Sequence, residues 1–136
     1  MNNISATVLI GLTAWTLALL ILMEALRGRL IVAKAIAANK LKPDNSNLSP
    51  FMQRLARAHA NCVESVPAFG MLLLLALFTK RTGLTDPLAP WLFGARIVQS
   101  CIHLASLSVL AVNLRFVAFA VQIGIAVYWI WALLVR

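Results

Sequence analysis

The stretch Arg54-Leu-Ala-Arg57-Ala-His-Ala-Asn61-Cys-Val-Glu64-Ser-Val-Pro67-Ala-Phe69 sets polar groups where they could do chemistry. Arg57, Asn61 and Glu64 are spaced i, i+4 and i+7, so on a helix they stack on one face, with Arg54 one turn earlier. Guanidinium forks match carboxylates. A carboxylate matches an ammonium, and a side-chain amide both donates and accepts. Just beyond the stripe, Met71 to Phe78 is apolar at every position. Charges running into hydrocarbon are costly, and are expected only where they line a protein interior or a wet cavity. The stripe therefore reads as a functional site.

The surrounding composition is that of a membrane protein. Hydrophobic residues make up 62% of the chain, against roughly 45–50% in a soluble domain. The length of 136 residues predicts one domain over 1–136. A net charge of +8 would suggest nucleic acid in a soluble chain. Here the basic residues lie between apolar segments, so topology accounts for them and no nucleic-acid partner is expected. The pattern predicts an all-α integral membrane four-helix bundle with spans at about 4–26, 50–79, 90–112 and 115–135.

Ile4 to Met23 carries no charge, and no Lys or Arg precedes Arg27, so it reads as a retained helix and not a signal peptide. Arg29 to Ala38 can continue it. The second segment starts at Pro50, a favoured first-turn residue, and Pro67 should kink it. The third carries Arg96, Gln99 and His103, and the fourth is interrupted mainly by Gln122. Cys62 and Cys101 read as small buried hydrophobes. Trp15 reads as subunit packing. Neither a disulfide framework nor a metal site is expected.

Orientation follows from the basic residues. Arg27, Arg29, Lys34, Lys40, Lys42, Arg54, Arg57 and Arg115 lie on one side, and Lys80, Arg81 and Arg136 on the other. This asymmetry predicts cytoplasmic first and third connections, with both termini outside. Trp91, Tyr128, Trp129 and Trp131 then fall at the outer interface. The protein is expected to be a multi-pass integral membrane protein, in the inner or plasma membrane if bacterial, in contact with membrane lipid.

The pattern Arg54-x-x-Arg57-Ala-His59-x-Asn61-x-x-Glu64-x-x-Pro67-x-Phe69 resembles the second-helix signature of the membrane-associated proteins in eicosanoid and glutathione metabolism (MAPEG). Gly94-Ala-Arg96 and Arg115-Phe-Val-Ala-Phe are similar to later parts of that family, and the resemblance covers essentially the whole chain. It implies a homotrimer with glutathione as co-substrate, held between neighbouring subunits near the cytoplasmic side. It further implies Arg57, Asn61 and Glu64 as glutathione ligands, with Arg54 a further candidate. Arg27 would reach in from a neighbouring subunit, and Arg96 and Gln99 would face the same cavity. Arg115 matches the arginine that activates the thiol. His103 stands where the family usually has a tyrosine, and would support Arg115.

Each residue also has a structural reading. Arg57 and Glu64 could form an intramembrane ion pair with Arg96. Arg54 could snorkel to the interface, and His59 could pack helices. His103 is open to a structural or a ligand role. The resemblance implies a glutathione-dependent transferase or peroxidase acting on a lipophilic second substrate, an electrophile or lipid hydroperoxide. The alternatives are a small transporter using Glu64 as its ion site, and a catalytically silent interaction protein.

Overall fold

Side chains just outside each apolar run decide where the helices begin and end. In the computed structural model, which describes residues 3–136, the chain forms α1 (Ile4–Val32), α2 (Pro50–Phe78), α3 (Ala89–Ala105) and α4 (Val109–Val135). No strand occurs among the described residues. Asn3, Ser49 and Ser108 cap the starts of α1, α2 and α4 by accepting from the amides of Ala6, Met52 and Ala111 at 3.1, 3.3 and 3.1 Å. Asp86 also accepts from the Ser5 amide at 3.0 Å, which ties the start of α1 to the connection between α2 and α3.

The ends of α1 and α2 share one device. Lys34 and Lys80 adopt left-handed conformations, with φ of 59° and 58°. The amides that follow turn back to Leu30 and Ala76 at 3.0 and 2.8 Å. This is a Schellman closure with lysine where glycine is the common choice. At the same end of the bundle as Lys80, Arg81 donates to the carbonyls of Leu133 and Ala132 at 2.7 and 3.2 Å, placing a cation on the last turn of α4.

Several boundaries differ from the sequence expectation. α1 does continue past residue 26, to Val32, and α2 runs unbroken through Pro67. The third helix stops at Ala105 and not near Val112, and the fourth starts at Val109, so the turns expected on α3 belong to α4. Two serines cause this. The Ser106 hydroxyl accepts from the Ser108 amide at 3.0 Å with Ser106 extended, and Ser108 then caps α4. α1, α2 and α4 are long and apolar enough to cross a membrane. α3 has 17 residues and rises about 25 Å, short of a hydrocarbon core of about 30 Å.

α1 packs chiefly on α2, and α3 on α4, with α3 also touching α1 and α2. Leu12, Leu55, Phe69, Leu73, Leu92 and Trp129 are fully buried in the core. Trp129 is therefore a core residue, not an interfacial one. Ile10, Met71, Phe78 and Leu134 point outward, as lipid-facing side chains do. Trp15, half-buried, donates to Ser100 at 3.0 Å and so joins α1 to α3 within one protomer. Cys62 is buried but Cys101 is exposed.

Candidate functional site

Three helices each carry a polar stripe with nearly the same spacing: Arg57, Asn61 and Glu64 on α2, Arg96, Gln99 and His103 on α3, and Arg115 and Gln122 on α4. Each stripe occupies one helical face. Where the faces meet, the side chains form a directed chain. Gln122 Nε2 donates to Gln99 Oε1 at 2.8 Å, and Gln99 Nε2 donates to Asn61 Oδ1 at 3.0 Å. Arg96 Nη1 donates to the same Asn61 oxygen, and its Nη2 to the Ser65 hydroxyl. Ser65 in turn donates to the Asn61 carbonyl at 2.7 Å. With two donors on its oxygen, the Asn61 amide is fixed in one orientation, and its Nδ2 remains available as a donor.

Arg96 is held in place by more than hydrogen bonds. Its Cζ lies 5.8 Å from the ring centroids of both Phe69 and Phe119, so an aromatic ring from α2 and one from α4 take part of the charge. It is 1% exposed. Within one protomer Arg96 is absent from the cleft lining and lies behind Asn61, whose side chain it positions.

The cleft in front of Asn61 has a volume of about 250 Å³. Asn61, Gln99, His103 and Arg115 supply its polar side, and Val112, Phe116 and Phe119 its apolar wall. Larger grooves of about 650 and 720 Å³ run along α1 with α2 and along α3 with α4, but their surfaces are almost wholly apolar. The smaller cleft is the more polar of these three. Arg115 has a buried Nε with no hydrogen-bond partner among the described residues. The charges of Arg57, Arg96 and Arg115 all reach His103. None of these three arginines is paired with a carboxylate, since the one ion pair among the described residues joins Arg27 to Glu24. Arg115 is the one guanidinium in the lining of the cleft, with Arg57 and Arg96 nearby.

The remaining candidates are placed as follows. Arg57 and Glu64 are exposed on the outward face of α2, and neither is paired with Arg96. Arg54 Nε donates to the Leu104 carbonyl at 2.9 Å, at the end of α3. Arg27 is engaged within its own chain: its Nε and Nη2 donate to Asn45 Oδ1 at 2.9 and 2.7 Å, and Nη2 also to the Pro43 carbonyl at 3.0 Å. Asn45, buried and left-handed with φ of 56°, passes the tie to the Met52 carbonyl at 2.8 Å. Arg27 thus staples the first connection to α1 and α2 within its own chain.

Ser65 has no role in the sequence reading, and Phe69 and Phe119 enter it only as members of the quoted motifs. Ser65 and Phe69 are four and eight residues after Asn61, and Phe119 is four after Arg115. Helical spacing places each beside a polar residue already singled out, and that was the available signal.

A model of the MAPEG family matches residues 5–135. No curated protein and no solved structure matches the chain.

Proposed function

Because the chain belongs to the MAPEG family, we propose that this membrane protein is a glutathione-dependent transferase or peroxidase acting on lipophilic electrophiles or lipid hydroperoxides. The observation that carries the reading is the cleft itself, where an Asn61 amide fixed by Arg96 and Gln99 stands with Arg115, a guanidinium with no carboxylate partner and an unpaired Nε among the described residues. Glutathione brings two carboxylates, an ammonium and a thiol, and the residues present match these groups. Arg57 offers a fork for a carboxylate. Glu64 offers the counter-charge for the ammonium, and Asn61 a donor for a peptide carbonyl.

The thiol, when ionised, supplies the nucleophile or reductant. The chain's own contribution is to stabilise that charge and keep water away. Arg115 is a cation that cannot lose its proton in a partly desolvated cleft, so it favours an anion beside it. His103 offers a ring N–H from α3. Val112, Phe116 and Phe119 form the apolar wall against which a lipophilic partner would lie.

The same reading implies assembly. Arg57 and Glu64 face outward from a membrane-spanning helix, and a charge facing lipid costs roughly 2.5–3.5 kcal/mol or more. The cleft volume of about 250 Å³ is also below the roughly 300–1,000 Å³ of a complete small-molecule pocket. A second copy packed on this face would cover the charges and close the cavity, and the reading is of a homotrimer. The basic first connection sets this end toward the cytoplasm, with both termini outside.

The deciding measurement is thermal stability of the purified protein in detergent with and without glutathione. At 100 times its dissociation constant a ligand adds about 2.7 kcal/mol, a clear rise in Tm. No rise at saturating glutathione would overturn the reading.

A further inference from the structure

We infer that Arg54 is a positioning residue for the cleft, acting through the C-terminal end of α3 and not on a ligand. This rests on the function proposed above, because it concerns the same cleft. The last carbonyls of a helix have no partner inside the helix. At the end of α3, Ile102 O receives the Ser106 amide at 3.1 Å, and Leu104 O receives Arg54 Nε at 2.9 Å. The second bond crosses from the first turns of α2, and it brings a cation to the negative end of the α3 dipole. Arg54 also lies over the Phe51 ring, 6.0 Å from its centroid, which limits where its guanidinium can go. It is absent from the lining of the cleft.

What this bond holds is the residue before Leu104. His103 lines the cleft, and its ring makes no hydrogen bond among the described residues, so its placement depends on the backbone that carries it. That backbone leaves the helix three residues later, at Ser106. A short helix ending in an extended Ser-Leu-Ser link would fray without a tether. Arg54 is that tether. The charged groups around His103 are Arg57 from α2, Arg96 from α3 and Arg115 from α4, so a small displacement of the ring changes its relation to all three.

The experiment uses full-length protein in lipid nanodiscs, as wild type, R54M, R54K, H103Q and R54M/H103Q. Without ligand, amide exchange over residues 103–108 should be about tenfold faster in R54M, the loss of one charge-assisted hydrogen bond. Unchanged exchange in R54M would overturn the tether. With glutathione, the thiolate absorbance of the complex is titrated with pH. R54M should move the midpoint upward by the same amount as H103Q, and the double variant should move it no further. R54K, which keeps a cation and a donor, should restore part of the shift. If R54M instead weakens glutathione affinity tenfold or more in both backgrounds, Arg54 is a ligand and the inference fails. If wild type binds no glutathione, the function proposed above falls, while the exchange measurement still decides whether Arg54 holds α3. Should R54M not fold, R54K carries both measurements, with a smaller exchange change expected in the same segment.

Discussion

Arg57 and Arg96 bear the same charge and meet opposite surroundings. Arg96 is enclosed by Asn61, Ser65 and two aromatic rings, whereas Arg57 stands exposed on α2 with no carboxylate beside it. The first is committed to the protein and the second is free for a ligand. Arg57→Ala and Glu64→Ala should each weaken glutathione binding by about 10- to 150-fold, the range of one charge-assisted hydrogen bond of roughly 1.5–3 kcal/mol. His59→Ala should leave it nearly unchanged, because His59 lines the apolar groove between α1 and α2. Calorimetric titration of the three variants checks this; a folded Arg57→Ala variant with ordinary affinity would remove that residue from the site. Arg115 is expected to act on ionisation more than on affinity. An ordinary thiol titrates near about 8.5, and lowering that by two units needs about 2.7 kcal/mol of differential stabilisation, within reach of one close cation. Arg115→Ala should therefore raise the pH at which bound glutathione forms its thiolate. An unchanged titration in that variant, beside a shifted one in His103→Gln, would transfer the activating role to α3.

At the scale of elements, the link between α3 and α4 decides how the stripes meet. Because the chain leaves the helix at Ser106 and restarts at Val109, Arg115 is six residues into α4 and not at its first turn. That phase turns Arg115 and Phe119 toward the cleft, where Asn61 and Gln99 face them. The cap that fixes the restart is Ser108. Ser108→Ala should cost about 0.5–2 kcal/mol, read as a lower unfolding midpoint in mild detergent. Ser108→Asp, which can cap equally well and places a negative charge at the helix N-terminus, should recover most of it. Equal loss in both variants would mean that the hydroxyl matters for some reason other than capping. The sequence signalled the helices but not this break. Residues 104–112 carry no charge, and Ser-Leu-Ser carries no proline or glycine to mark a stop. What ends α3 is a local competition, in which serine hydroxyls take amides that the helix would otherwise use.

For the whole molecule, one protomer leaves a charged face on α2 and an open cleft bounded by three helices. If the site is shared, mass measurement in mild detergent should give three protomers, and glutathione should stabilise that species and not a monomer. A stable monomer with full affinity would sink the shared site. Arg27 bears on the same question. Its guanidinium is tied to Asn45 and the Pro43 carbonyl in its own chain, so reaching a neighbouring subunit's site would require those bonds to be given up.

Periodicity and composition determined much of this protein unaided. The i, i+4, i+7 spacing of Arg57, Asn61 and Glu64 fixed their common face, and the long apolar segments, three of them in helices apolar enough to span, fixed the membrane class, because both depend on neighbours along the chain. The motif on α2 carried the family, which the match over residues 5–135 bears out. The tertiary structure decided what each charge does. Arg27, Arg54, Arg57, Arg96 and Arg115 are alike in sequence, yet one staples a loop, one meets the end of α3, one is exposed, one is buried behind Asn61 and one lines the cleft. A guanidinium's role depends on which carbonyls, rings and hydroxyls other helices bring within reach, and those partners lie up to 50 residues away along the chain. Local pattern holds no record of them.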